Sequence, residues 1–512
     1  MNLNWPYQST PYLSALPGVG GPGLDVSKGD LPSKIYFVTS TENVKEGGPD
    51  PRGPNCYSGT FWYCWYADQG DGFHKWIIPL VGGYCFLGKG MNTPLRANFD
   101  YIGHAAPGAG LFVQTAALCV RASNSRVWHL PSWVGDLPSA GGPDEFKADQ
   151  RDALKCSTSD EEITRVAFIN CEARFAMDEC VEVWYDALGA SWIRGAVYDP
   201  LHIPVGFDMP DDPNHDAGSD HGYGHLVGGR ADYALTMQSL YAHTTDRNPL
   251  VSAPNYAHIN NLHYDHGRPN VGRGAGIKID DNGEHNATDG RSMQFNMVGC
   301  ISVRGPNNND DLVFVEVQDV TPGSSAHAAY CSVYGWPADS VADFFNMYRD
   351  PPPDTYANYL RPTLRPGAWP LGLGFDYDGV LVPCADPMRP TVQEGLAFTQ
   401  LMRTTVGCMP SRRYLFASGV NRVLDQIDQA IRGVEAPSQW VNTVDDAGGW
   451  PDIPSATIDP VNPSADYHAP IPLDASRDDI LLEGTFSDGS SKVGYSALRA
   501  WAIEQYFYVL GR

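Results

Sequence analysis

The sequence predicts an α+β fold, with a strand-rich N-terminal two-thirds carrying long loops and a helix-rich C-terminal part. Three observations carry this. Between residues 34 and 200, β-branched and aromatic runs alternate with turn clusters such as Glu46-Gly-Gly-Pro-Asp-Pro51 and Asp68-Gln-Gly-Asp-Gly72. Beyond residue 335 apolar residues take up helical spacing, as in Val420, Val423, Leu424, Ile427 and Ile431. Gly 53 and Pro 41 in 512 residues exceed ordinary usage and demand much irregular loop.

Residues 1–33 read as an extended arm. Their Gly18-x-Gly20-x-x-Gly23 has the letters of a dinucleotide fingerprint, but no strand precedes it and Pro22 interrupts it. Strands are expected at Lys34–Ser40, Thr60–Tyr66, Trp76–Leu80, Leu111–Arg121, Ile163–Ile169, Cys180–Asp186 and Ser191–Val197. Further strands follow at Met293–Arg304, Asp311–Gln318 and Ala328–Tyr334. The aromatic run Phe61–Tyr66 reads as a strand buried on both faces. Ala231–His243 and Pro337–Tyr348 look helical, the latter with Val341, Phe344, Phe345 and Tyr348 on one stripe. Leu371–Val382 is an apolar strand and Arg413–Ala417 a short one; Thr391–Arg403, the stretch from Val420 to Gly433 and Tyr495–Leu510 are helices. No internal repeat is visible. The domains expected are the arm (1–33), a strand-rich shell domain (34–350) with a His/Asp/Gly-rich projection at 199–290, a Pro-rich connection (351–370) and a helix-containing domain (371–512).

A formal net charge of -25 repels nucleic acid and anionic membranes, and residues 1–33 carry one basic residue, Lys28. Eleven cysteines without a C-x-x-C read as free, mostly buried thiols of a reducing compartment. Met1–Pro17 lacks the basic and apolar regions of a signal peptide, and the apolar run Ala109–Val120 is far short of a membrane span.

The segment 199–290 holds nine of the fourteen histidines, thirteen acids and only five basic residues. So many ionisable groups cannot be buried unpaired, so the segment is expected to be solvated: an exposed projection or inter-subunit loop without a catalytic centre. The alternative is a metal site, for which His215, Asp216, Asp220, His221 and His225 could fold round an ion. Asn261-x-His263-x-Asp265-His266 resembles the H-x-H-x-D-H motif of metallo-β-lactamase-type hydrolases, with Asn261 where the first histidine ligand stands. That resemblance implies Zn on His263, Asp265 and His266.

A second motif is shorter. Leu371-Gly-Leu-Gly-Phe-Asp376-Tyr-Asp378-Gly379-Val-Leu-Val382 resembles the first motif of haloacid-dehalogenase-like phosphatases. The resemblance implies Asp376 as nucleophile, Asp378 as general acid, Mg between them, Ser418 on the phosphate, and Asp445 and Asp446 on the metal. The lysine that family needs is missing, since Lys492 alone follows Asp376.

Taken whole, an acidic, loop-rich chain with no decisive catalytic motif is similar to coat proteins of small double-stranded RNA viruses. The resemblance implies a structural capsid subunit without cofactor, located in the virion and the host cytoplasm. Many copies would form an icosahedral shell round the genome and polymerase, with no membrane partner.

Overall fold

The structure is a computed structural model and describes residues 32–68, 70, 72–95, 98–135, 151–202, 221–267, 276–280, 293–308, 314–318, 325–329, 331–335, 345–347, 391–434, 441–461, 466–473, 481–487, 489 and 491–511. Strand dominates, at 41% against 18% helix, and nearly all strand pairs are parallel. The α+β expectation is therefore corrected, and with it the helix-rich C-terminal part, which has only a few helices.

The chain winds as a three-sided solenoid in which each turn lays one strand on each of three parallel sheets. The first sheet runs through Ser33–Ser40, His74–Pro79, Phe99–Ile102, Ser125–Trp128, the second halves of Leu154–Ile169 and Glu179–Ile193, then Ala234–Met237, Asn255–Ile259, Gln294–Val298 and Ser325–Ala329. The second takes the first halves of Val81–Asn92 and Leu111–Val120, then Pro131–Trp133, Glu172–Arg174, Ala196–Tyr198, Leu240–Ala242, Leu262–Tyr264, Ile301–Val303 and Ser332–Tyr334. The third takes the remaining halves of the four long strands, then Tyr223–Val227, Leu250–Val251, Ile277–Asp280, Val315–Gln318 and Phe345–Met347.

Register stacks side chains of like orientation into ladders inside the coil. One inward ladder of the first sheet is Tyr36, Ile77, Tyr101, Val127, Phe168, Trp192, Thr236, His258 and Met297. Each is at most 2% exposed. Two-residue turns lead from the first sheet to the second, and their first residue is left-handed: His129 (φ 50), Asn170 (φ 54), Arg194 (φ 52), Gln238 (φ 51) and Asn260 (φ 55). Asparagine tolerates that conformation best, and it appears there twice.

Gly195, the second residue of one such turn, has no room for a Cβ, which would sit 2.1 Å from the Trp192 indole. Gly195→Ala should therefore lower stability by about 1–3 kcal/mol through overpacking. A urea midpoint equal to that of the native chain would show that the indole moves aside without cost.

Four α-helices complete the described residues. α1 (Phe61–Tyr66) corrects the strand expected there: Thr60 caps it by accepting from the Tyr63 amide, and Phe61, Cys64 and Trp65 share its buried face. α2 (Val392–Thr405) and α3 (Gly419–Ile431) cover the outer face of the second sheet, where Phe398, Met402, Val423 and Ile427 meet Leu240, Leu262 and Ile301. α4 (Ala497–Val509) covers the first sheet, with Trp501, Ile503 and Tyr506 against Trp128, Ile169 and Ile259. These three helices lie within half a turn or so of their expected places, but they pack on the solenoid, sharing its buried faces.

Other expectations are corrected in detail. Ala231–His243 is not a helix but two strands, because its apolar residues serve a two-residue corner between sheets. Phe345–Met347, within the helix expected at Pro337–Tyr348, is a strand; Arg413–Ala417 is not a strand, since a 3-10 turn spans Pro410–Leu415. Leu371–Val382 and the arm 1–31 lie outside the described residues. The largest correction concerns 199–290. Its described residues form coils of the solenoid, not a projection, and His202, His225, His243, His258, His263 and His266 are each at most 2% exposed. The charge argument failed because neutral imidazoles can be buried when hydrogen-bonded. The ten described cysteines are free and buried.

Candidate functional site

The connections from second to third sheet, 134–153, 199–222, 243–249, 265–276 and 304–314, are all longer than the two-residue turns at the first corner, and one from third to first, 281–293, is long as well. Insertions gathered on one side of a solenoid mark a common place for binding. Here four coils contribute charged side chains to one cluster.

Lys155 and Glu182 are register partners on the third sheet, and Glu179 is partnered with Tyr223. The Lys155 ammonium lies on Glu182 Oε2 at 2.8 Å and also pairs with Asp152. Asp152 Oδ1 accepts the Glu179 amide at 2.9 Å. Arg247 donates to Glu179 and lies over the Tyr223 ring at 3.9 Å from its centroid. Asp178 Oδ1 meets His221 Nδ1 at 2.5 Å and shares a hydrogen bond with Glu179. One oxygen from each of Asp152, Glu179 and Glu182 falls within 4.8 Å of the other two.

Burial sets the protonation. Desolvation, then the charge of Asp178, pushes the Glu179 carboxyl up to about 8. Desolvation raises Asp178 as well, to about 8, with the Asp152 charge adding to it. Asp152 is raised to about 6 by burial, against the pull of Lys155. Burial works against the charge on Lys155, but Asp152 and Glu182 outweigh it and hold the ammonium protonated above the usual lysine range. Burial raises the Glu182 carboxyl too, against the pull of Lys155, so the cluster sets the proton-retaining Asp178 and Glu179 beside two acids paired to one ammonium. Side-chain exposures are 12% for Glu182, 15% for Asp178 and 25% for Arg247, while Glu179 at 4% and Asp152 at 1% lie beneath them. A divalent cation could use Asp152, Glu179 and Glu182 only if Lys155 swung out, because its ammonium already occupies two of them.

Among the described residues, those singled out from the sequence do not form one group. His225 bonds to the Tyr241 hydroxyl at 2.9 Å and His263 to His258 at 2.8 Å, both inside the coil. Asp265 is saturated by His243 Nδ1 (2.9 Å), the Asn307 amide (2.7 Å) and Asn307 Nδ2 (2.8 Å). His266 is buried near Phe314. Among the described residues no metal-ligand group forms from 261–266. The strand parity that sends His263 inward sends its neighbours elsewhere. His221 alone joins the cluster above. His215, Asp216, Asp220, Asp376 and Asp378 lie outside the described residues. Ser418 caps α3 through the Asn421 amide, and Asp446 caps a short turn with Thr443; Asp445 lies in the same turn. Their oxygens serve local backbone, which accounts for these residues without a phosphate. Reasoning on sequence passed over Asp152, Lys155, Asp178, Glu179, Glu182 and Arg247. The available sign was charge within otherwise apolar strand runs, as in Asp178-Glu-Cys-Val-Glu182.

No family model matches the chain, and no curated protein matches it. Among solved structures it is similar to the 1.7 Å crystal structure of jun a 1, the major allergen from cedar pollen. That likeness has 11% identity, a TM-score of 0.35, and covers 77% of this chain and 93% of that one. A likeness at that score carries no argument, and the fold described above rests on strand register.

Proposed function

We propose that the chain cleaves glycosidic bonds in an extended polysaccharide by general acid–base chemistry at the Asp152/Asp178/Glu179/Glu182 cluster. One observation carries this reading: an oxygen of Glu179, whose carboxyl burial raises, lies within 4.8 Å of an oxygen each of Glu182 and Asp152, both of which pair with Lys155. Two carboxyls with opposed protonation are the requirement of such a reaction, and separations of about 5 Å suit retention of configuration. In this reading Glu179 protonates the leaving oxygen, Glu182 attacks or stabilises the sugar cation, and Arg247 with Tyr223 seats the ring. The row Cys119, Lys155, Glu182, Leu226, Leu250, Lys278 and Glu316 runs along the third sheet, one residue per coil about 4.8 Å apart, and its partly exposed members Lys155, Glu182 and Lys278 have a spacing suited to a linear polymer.

Reducing-end release from neutral, amino and acidic polysaccharides tests the proposal. Glu179→Gln should lose about 10²–10⁴-fold of the rate while keeping its fold. Absence of cleavage on the whole panel, or an unimpaired Glu179→Gln, would remove the reading. A shell of many copies enclosing a genome is a separate proposal, favoured by the net charge of -25, which suits a genome that must slide. Sedimentation as a megadalton particle would support it, and a lone 55.9 kDa species would oppose it.

A further inference from the structure

On the outer face of the third sheet, beside the acidic cluster, two aromatic side chains meet. Val181 and Val183 belong to the interior core, so strand alternation sends Glu182 and Trp184 to the outer face, about 6.6 Å apart along the strand. Trp184 is half-buried, and Tyr185, the next residue, is 42% exposed. Their ring centroids lie 6.1 Å apart at an interplanar angle of 74°. The following coil leaves the indole room. Val183 is partnered with Val227, and Gly228 and Gly229 come next. A Cβ at Gly228 would sit 2.4 Å from Trp184 Cζ3, and one at Gly229 would sit 3.1 Å from Trp184 Cδ2. The benzo half of the indole therefore rests on bare backbone. Arg230 bridges back to Asp186, donating from Nε to Oδ1 at 2.6 Å.

We propose that Trp184 and Tyr185 form a stacking subsite for an uncharged sugar ring, next to the position served by Glu182. The proposal rests on the cleavage reading for the polymer's chemistry and narrows its substrate to a neutral polysaccharide. Shape carries the first half. A pyranose ring has a face on which only C–H groups point, and that face packs on an aromatic ring while the hydroxyls at the rim stay solvated. Trp184 offers a ring seated on glycine, and Tyr185 a second ring turned steeply across it, so a sugar would meet two aromatic surfaces at once. Both reach solvent, whereas Trp192, on the same strand, is 1% exposed and serves the interior of the coil. Charge carries the second half. The cations beside the pair are already committed, Lys155 to Asp152 and Glu182 and Arg230 to Asp186. A uronic acid or sulfated unit would have to draw one of them away, against a chain of net charge -25. An uncharged ring needs no such exchange, and its hydroxyls can bond to the open rim of the Asp186–Arg230 pair, whose side chains are 30% and 49% exposed.

The test is calorimetric titration of the full chain, native and Glu179→Gln, with cellohexaose, xylohexaose and mannohexaose, and with hexagalacturonate as the acidic control. At least one neutral hexasaccharide should bind, and hexagalacturonate should bind more weakly. Trp184→Ala should weaken that binding about tenfold, and Trp184→Phe should recover part of it. Tyr185→Asn, which keeps a residue that tolerates the φ of 55°, should weaken it about threefold. No binding of the three neutral probes, tighter binding of hexagalacturonate, or equal affinities for Trp184→Ala and the native chain would overturn the subsite. Should Trp184→Ala not fold, Tyr185→Asn, at an exposed position, carries the same test. Binding and cleavage separate the two readings. Trp184-dependent binding without cleavage of any polysaccharide would remove the acid–base reading alone, and cleavage with an unchanged KM in Trp184→Ala would remove the subsite alone.

Discussion

Stability should peak near pH 6.5 and fall steeply toward pH 5. His104, His129, His225, His258, His263 and His266 are all buried, and desolvation holds their imidazoles well below the usual range, to about 3 for His104, His225 and His266. A group with a depressed folded pKa that is neutral when deprotonated contributes nothing to the pH slope above about 6.5. Below that the unfolded chain takes up protons that the folded chain refuses, so stability is lost as pH falls, by about 1.4 kcal/mol per unit for each group. The acidic cluster works in the opposite sense. Asp178 and Glu179, raised to about 8, keep their protons when folded, so stability is lost as pH rises from the unfolded carboxylate range to about 8. With His74, lowered to about 4, there are seven histidines, and with Asp152, raised to about 6, three carboxyls, which leaves a net loss of roughly 5 kcal/mol between pH 6 and 5. On the alkaline side the loss is roughly 1–3 kcal/mol per unit from 6.5 to 8, because Lys75, lowered to about 7, opposes it above pH 7. A domain's whole stability is about 5–15 kcal/mol, so the acid limb should reach unfolding. Urea midpoints at pH 5, 6.5 and 8 check this; a midpoint that is flat or rising from 6.5 down to 5 would show the histidines to be solvated or ion-paired.

Replacing Asp199 should cost about 3–5 kcal/mol, because its loss strands a buried charge. Asp199 is fully buried, and its Oδ2 accepts from Arg174 Nε at 3.1 Å and Nη2 at 2.9 Å and from Arg422 of α3. Arg174 is 2% exposed and lies 3.9 Å from the Phe175 ring centroid. The carboxyl is held far below its ordinary range: burial opposes this, and the Arg422 and Arg174 charges outweigh it. The contribution is thus present above pH 4 and lost only in stronger acid, outside the histidine window. Asp199→Asn keeps a residue that tolerates the φ of 49° and so isolates the charge. Arg422 is 26% exposed at its side chain, so Arg422→Met should cost less than Asp199→Asn. Equal midpoints for Asp199→Asn and the native chain would show that the clamp between solenoid and α3 is not electrostatic.

The sequence alone determined local things. Runs such as Leu111–Val120, buried at every position, declare themselves as strands because both faces are covered. Val420, Val423, Leu424 and Ile427 declare α3 because one stripe of it is covered. Closure into a solenoid was not legible. Ladder neighbours lie 24 residues apart from Ile77 to Tyr101 but 44 apart from Trp192 to Thr236, so no period survives in the letters. Corner positions need a left-handed backbone, which His129, Asn170, Arg194 and Gln238 all supply, so no single residue type marks them. Tertiary structure alone decided the fate of the charges. It set six histidines of 199–290 inside a packed coil, and drew Asp152, Glu179, Glu182 and Arg247 from three coils into one cluster. Register across parallel strands does this: it joins residues by their height along the solenoid, and distance along the chain does not enter.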